Sequence, residues 1–305
     1  MRNGWSAKAI LFSVIVFLFT GLMPTLGRDG DGAWACKPLS SPLAFSPDGQ
    51  ILAAWDLRPG GEGILFSDAV TGKVLRRLEG NVDVEDYRAA VLAFSPDGRT
   101  LAMATEATIH LWDVATETKS REIKMLDGKR ATSIAFSPDG RTLAAGGSDD
   151  STIYLLDIAI GKELRKLKVH TKKGGPALTF SPDGKTLALG TSEDATIRLY
   201  DVVTGTEFRE FKGHDGKGAT AIAFSPDSKM LASGSTDSTI RLWSVSTGEE
   251  LGRLDGPRWR VRAVAFSGDG KTLVAASGSG QEWIKRWKVA TDDPLSFVAS
   301  AGVEC

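Results

Sequence analysis

From Ser41 onward, short runs of alternating apolar and polar residues recur, each bounded by turn-forming residues. Between Ala219 and Gly256 the order is "ATAIAFSP", "MLASGS", "TIRLWS" and "EELGRLDG", and the same four-part order returns along the chain. A period of two marks β-strands, because successive side chains point to opposite faces. In "TIRLW", Ile240 and Leu242 point one way and Thr239, Arg241 and Trp243 the other. No window beyond the N-terminal apolar run sustains a helical period.

The separators are as regular as the strands. Between the first and second strand of each unit stands Ser-Pro-Asp-Gly or a close variant. Proline presets the angle of a turn's first corner, aspartate hydrogen-bonds locally and glycine accepts a positive φ. A second Gly-ended turn, such as "VVTG" at Val202 to Gly205, separates the third and fourth strands. The recurring string therefore reads as hairpin chemistry, used once per unit, rather than as a metal ligand set, since each turn carboxylate brings only one ligand.

The phenylalanines that open the motif are Phe45, Phe94, Phe136, Phe180, Phe224 and Phe266, at intervals of 42 to 49 residues. A fixed period of that size signals a repeat architecture. Four short strands bury too little by themselves, and radial repetition both supplies a core between neighbours and protects the sheet edges. The fold class expected is all-β: a propeller of six four-stranded blades rather than seven, spanning about 42–80, 89–127, 131–169, 176–213, 219–255 and 261–300.

Composition adds little except at the ends. A formal net charge of -1 gives no electrostatic reason to expect nucleic acid. Ahead of the repeats, residues 1–35 are of another kind: Arg2 and Lys8 precede the uncharged run 9–27, and Arg28 follows. This reads as a cleaved secretory signal or an uncleaved membrane anchor. Either sends the propeller, 36–305, to a periplasmic or extracellular location. Small residues flank possible cleavage sites after Gly27 and after Ala35. The only cysteines, Cys36 and Cys305, lie at the two ends of the exported part. In an oxidising compartment they are a disulfide candidate, with two separate thiols at frayed ends as the alternative.

Units of the type F-S-P-D-G, L-A-S-G-S, D-x-T-I-R-L-W-D, T-G and G-H resemble WD40 repeats, especially the regular bacterial kind, over roughly Pro42 to Ala299. The W-D pair stands as Trp112-Asp113, Leu156-Asp157, Tyr200-Asp201, Trp243-Ser244 and Trp287-Lys288, with Ser67-Asp68 in blade one. The resemblance implies a buried polar network of His, Ser or Thr, Asp and Trp, for which only blade five has every member: His214, Ser233, Asp237 and Trp243. Blade four keeps His170 and Asp194 but has Gly190 and Tyr200, and blade three keeps Asp150 alone. It leaves open whether another chain supplies a seventh blade. With no N-terminal strand to complete blade six, a Cys36–Cys305 bond would tie blade one to blade six.

Candidate chemistry is sparse. His110 falls in a variable polar column with Tyr154, Arg198, Arg241 and Lys285. No G-x-S-x-G, H-E-x-x-H or C-x-x-C occurs. No catalytic residue, cofactor or metal is expected. Variation concentrates in the loops of one face, where rigid scaffolds usually place binding. Two loops stand out: Trp259 between Arg258, Arg260 and Arg262, and an acidic stretch containing Asp86 and Tyr87. Lys172 and Lys173 add charge between blades three and four. The resemblance implies an exported, non-catalytic scaffold that binds a protein or peptide on the loop face. The alternatives are a glycan- or small-ligand-binding propeller, or a propeller enzyme with its site at the channel mouth.

Overall fold

The computed structural model describes residues 43–56, 63–79, 91–105, 108–124, 131–147, 152–169, 177–191, 195–215, 217–256, 260–277, 284–289 and 298–303. Its strands form six antiparallel sheets of four, each built from four consecutive strands in chain order. Blade one comprises β1 (Leu43–Phe45), β2 (Ile51–Asp56), β3 (Gly63–Asp68) and β4 (Val74–Glu79). Blade two comprises β5 (Val91–Phe94), β6 (Thr100–Ala104), β7 (Thr108–Asp113) and β8 (Thr118–Lys124). In blade three they are β9 (Ala131–Phe136), β10 (Thr142–Gly147), β11 (Thr152–Asp157) and β12 (Lys162–Lys168). Blade four holds β13 (Ala177–Phe180), β14 (Thr186–Gly190), β15 (Thr196–Asp201) and β16 (Glu207–Lys212). β17 (Ala219–Phe224), β18 (Met230–Ser235), β19 (Thr239–Ser244) and β20 (Glu250–Asp255) make blade five. Blade six has β21 (Val261–Phe266), β22 (Thr272–Ser277), β23 (Ile284–Lys288) and β24 (Val298–Val303), the last running past the end expected at residue 300.

The hairpins form where the turn residues dictate. The Gly49 N–H donates to the Ser46 carbonyl at 2.8 Å, and the same closure recurs at Gly98, Gly140, Gly184 and Gly270. Each of these glycines has φ near +70°, and Ser228 adopts +61° at the equivalent place in blade five. A register shift between the third and fourth strands recurs in blades one to five, for example between Leu242 and Trp243. Such a bulge increases the twist of the outer strand.

Both faces of the middle strands are covered in blades two to five. β15 and β19 are buried at every position but the last, so Arg198, Thr239 and Arg241 lie inside although the alternation places them on the polar side. The physical reason is radial packing: each of these two sheets is clamped between two others. Ile64, Phe66 and Leu78 of blade one pack with Leu92, Leu101 and Trp112 of blade two, and matching cores join two to three, three to four, four to five and five to six. The outer strands of blades one to five each contribute a buried anchor: Leu78, Ile123, Leu167, Phe211 and Leu254. At Gly190 the approach is close enough that a Cβ would sit 3.2 Å from Ile222 and 3.3 Å from Ala219 of the next blade, so a larger residue there would press the two blades apart.

Cys36, Tyr87, Asp86, Asp150, His170, Lys172, Lys173, Asp194, Arg258, Trp259 and Cys305, with residues 1–35, lie outside the described residues.

Candidate functional site

One face of the ring is made of the Ser-Pro-Asp-Gly turns, and their polar atoms are committed to one another. The Ser46 hydroxyl donates to Asp48 Oδ1 at 2.5 Å and accepts the Ile51 N–H at 2.9 Å, while Asp48 Oδ1 also accepts the Gln50 N–H at 3.0 Å. The Ser95–Asp97, Ser137–Asp139, Ser181–Asp183, Ser225–Asp227 and Ser267–Asp269 pairs repeat this bond. The serine hydroxyl is the leading reason that Asp97, Asp139 and Asp269 are held below the ordinary carboxylate range. Among the described residues no group of three or more histidines, cysteines, aspartates or glutamates is placed to hold a metal ion.

A second fixed device sits at the turns between third and fourth strands, and nothing in the sequence reading anticipates it. Asp68, Asp113 and Asp201 each fold back to accept the N–H of a threonine three residues on. An arginine from the preceding blade's outer strand then caps the turn. Arg165 donates to the Val203 and Thr204 carbonyls at 2.7 and 2.8 Å, and Arg209 to those of Ser246 and Thr247 at the same distances. Arg121 reaches the Ile160 carbonyl at 3.3 Å, and Arg76 pairs with Glu117 at 3.3 Å. The sequence signal is an arginine opposite Phe66, Leu111, Leu155 and Leu199 in the strand register; Gly252 and Ser300 occupy that column in blades five and six. Near this break, a cleft of about 730 Å³ opens on the turn face, lined among others by Phe208, Arg209, Met230, Leu251 and Gly268.

The polar column containing His110 is a set of cross-strand pairs. His110 Nδ1 lies 3.4 Å from Glu122, Arg198 bonds Glu210 at 2.9 Å, and Arg241 bonds Glu250 at 2.6 Å. The Lys166 ammonium lies over the Tyr154 ring, and Lys285 donates to the Gly256 carbonyl. Arg253 stands directly opposite Arg241 in register, and Asp215 lies 3.5 Å from Arg241 and 3.7 Å from Arg253, offsetting the like-charge pairing. His110 is thus near an acid without a hydrogen bond at Nδ1, and it packs beside Trp112 with ring centroids 5.6 Å apart.

Blade five brings His214, Ser233, Asp237 and Trp243 together. His214 Nδ1 lies 3.1 Å from Asp237 Oδ2 and Nε2 lies 2.7 Å from Ser233 Oγ, while the Trp243 indole N–H donates to that Oγ at 2.8 Å. The N–H and hydroxyl of Thr239 hold Asp237 Oδ1 at 2.8 and 2.6 Å. One proton arrangement satisfies all of them: Nδ1–H donates to Asp237, and the serine hydroxyl donates to Nε2 while accepting from the indole. Ser, His and Asp are connected in the order that activates a nucleophile in acyl transfer. Here the serine is 0% exposed and its oxygen already carries the indole N–H, so no substrate atom reaches it. The chain of bonds fixes the loop before blade five against its second and third strands.

This network sets a pH response. Burial is the main reason that His214 and His110 are held below the ordinary value of 6.5, against the opposing pull of Asp237 and Glu122. Unfolding frees both rings to protonate near 6.5, so stability is full above that pH and falls as the pH drops through and below it. Each ring costs at most about 1.4 kcal/mol per pH unit. The melting temperature is expected to decline between pH 6.5 and 5 in wild type, and less steeply in His214→Asn. A melting temperature that rises on acidification from pH 7 to 5.5 would contradict this.

Of the loop-face residues, Arg260 and Arg262 are described. Arg260 is exposed, while Arg262 is half-buried in inner strand β21. Burial, and then the neighbouring Arg260 charge, lower the pKa of Arg262.

The model of the WD domain, G-beta repeat family matches residues 72–113, 120–157, 161–201, 205–244 and 248–287. The chain belongs to the WD40 repeat family. Each WD40 match begins at or just after the turn before an outer strand and ends with the third strand of the next blade, so five matches stitch six blades together. A chain in the crystal structure of the mitotic checkpoint complex aligns with a TM-score of 0.73 at 20% identity, covering 86% of this chain and 76% of that one. At that identity the likeness is one of fold. No curated protein matches the chain.

Proposed function

We propose that this WD40 chain is an exported, non-catalytic scaffold that binds an acidic segment of a protein partner on its loop face, near blades five and six. The observation that carries this reading is the pair Arg260 and Arg262. A half-buried guanidinium destabilised by burial and by a like charge is relieved by an incoming carboxylate. Trp259 adjoins the pair in sequence, and tryptophan and arginine are favoured interface anchors. The opposite face supports the assignment by contrast, because its turn serines and aspartates spend their hydrogen bonds on one another. WD40 membership and the neighbour's place in a protein complex favour a binding role over catalysis. Export rests on the apolar run 9–27 and its flanking charges. Small-ligand binding has one feature on its side, the cleft beside Phe208.

The test compares cross-linked capture from native envelopes by wild type and by a Trp259→Ala, Arg260→Glu variant, followed by titration with a synthetic acidic peptide from the captured protein. Affinity is expected to fall at least about tenfold in the variant and to weaken with salt. Equal capture by both proteins would move the site elsewhere on the ring.

A further inference from the structure

Three departures from the repeat meet in the turn-face cleft of about 730 Å³ beside Phe208. Blades two, three and four pair a threonine with an aspartate where the second strand begins and the third ends: Thr100 with Asp113, Thr142 with Asp157, and Thr186 with Asp201. Blade five pairs Met230 with Ser244 there. Gly268 replaces the motif proline of the other five units. The methionine adds apolar surface, the serine takes away a charge and the glycine makes room. Phe208 and Leu251 face the same space. Each is the extra residue at the bulge of its outer strand: Leu199 pairs with Arg209 and Tyr200 with Glu207, and Leu242 pairs with Gly252 and Trp243 with Glu250. A bulge re-aims a side chain, and Phe208 stays 46% exposed. Pro226, Met230 and Val245 complete the apolar lining.

The charged lining is Arg209, Lys229, Asp227 and Asp269. Both aspartates are tied into their own turns, by the Ser225 and Ser267 hydroxyls and by the Lys229 and Lys271 N–H groups. Elsewhere on this face the cations have more company. Arg99 lies within electrostatic reach of Asp97 and Asp113, and Arg165 of Asp201. Lys229, the counterpart of Arg99, keeps Asp227, but Ser244 brings no charge to it or to Arg209. The Ser244 hydroxyl accepts the Thr247 N–H at 3.2 Å, where Asp68, Asp113 and Asp201 hold the equivalent N–H at 2.6 to 2.7 Å. Among the described residues, the buried Arg209 Nε has no hydrogen-bond partner.

We propose that this cleft binds a small apolar carboxylate, with its hydrocarbon body against Phe208, Met230 and Leu251 and its carboxylate beside Ser244, where the other blades carry aspartate. The volume suits a small molecule. Covering the apolar lining removes hydrocarbon surface from water, and the carboxylate makes charge-assisted contacts with Arg209 and Lys229. The site lies on the turn face, away from Arg260 and Arg262, and is independent of the loop-face partner.

The full chain, with isotope-labelled methionine methyls, is titrated with hydrocinnamate and with its neutral amide, hydrocinnamide. The Met230 methyl resonance, assigned by its loss in Met230→Leu, is expected to move saturably with hydrocinnamate, reaching half-way below about 1 mM. The methyl of Met103, fully buried between blades one and two, should stay in place. The amide should bind at least about tenfold more weakly. Ser244→Asp supplies a residue that the fold accepts at this position in blades one to four. Its affinity for hydrocinnamate should fall at least about tenfold, with the melting temperature unchanged or higher. Gly268→Pro restores the motif ring and should weaken binding too. A Met230 methyl that does not move, equal affinity for acid and amide, or unchanged binding by Ser244→Asp each overturn the inference.

Discussion

Replacing Ser233 with alanine is expected to destabilise the protein by about 2–4 kcal/mol. The hydroxyl serves two buried partners, accepting from the Trp243 indole and donating to His214 Nε2. Removing it leaves an N–H and a ring nitrogen without partners, in a place that water does not enter: Ser233 is 0% and His214 1% exposed. The loss exceeds that of one hydrogen bond because the unmet groups keep their desolvation cost. The volume change is a single oxygen, so cavity formation adds little. Equilibrium unfolding in urea of Ser233→Ala, beside Ser246→Ala in an exposed turn as a control, measures the difference. A change below about 0.5 kcal/mol, the range of ordinary surface substitutions, would show that the network does not stiffen blade five.

The second large effect is expected at Gly205. Alanine there meets two obstacles: a φ of +73°, and a Cβ that would lie 2.5 Å from Arg165 Cδ and 2.9 Å from Leu167. The left-handed conformation alone costs about 1–2 kcal/mol, and the arginine must also leave the Val203 and Thr204 carbonyls. A total of about 2–4 kcal/mol is expected. Arg165→Met removes the clamp but keeps the glycine, and should cost about 1 kcal/mol, since the arginine is exposed. The double variant separates the causes. If the clash with Arg165 contributes, the pair costs less than the sum of the single changes; strict additivity would assign the effect to backbone strain and the Leu167 contact.

What was legible follows from the physics of each signal. Strands and hairpins were readable because Ser-Pro-Asp-Gly is local chemistry, complete within six residues, as the Ser46–Asp48–Ile51 bonds show. The four network residues of blade five stood out through the family pattern, and the structure places them in one hydrogen-bonded chain. Burial of Arg198 and Arg241 was not readable from alternation, because a two-fold period records which side a residue takes, not whether that side is covered. The arginine column was missed for a different reason. Arg76, Arg121, Arg165 and Arg209 act on the next blade, so their role appears only when neighbouring repeats are superposed in space rather than aligned in sequence.

That column gives the ring a direction. Each arginine belongs to one blade and fastens the turn of the blade after it, from one to two through four to five, and Gly252 ends the series. Like overlapping roof tiles, each of these turns is pinned by an arginine of the blade before it. Detaching blade six withdraws no fastener of this kind from blade five, while loosening blade one releases the turn of blade two. Through this column, fraying that starts at the N-terminal end frees the next turn in order, while fraying from the C-terminal end is passed on only by the apolar core that blades five and six share.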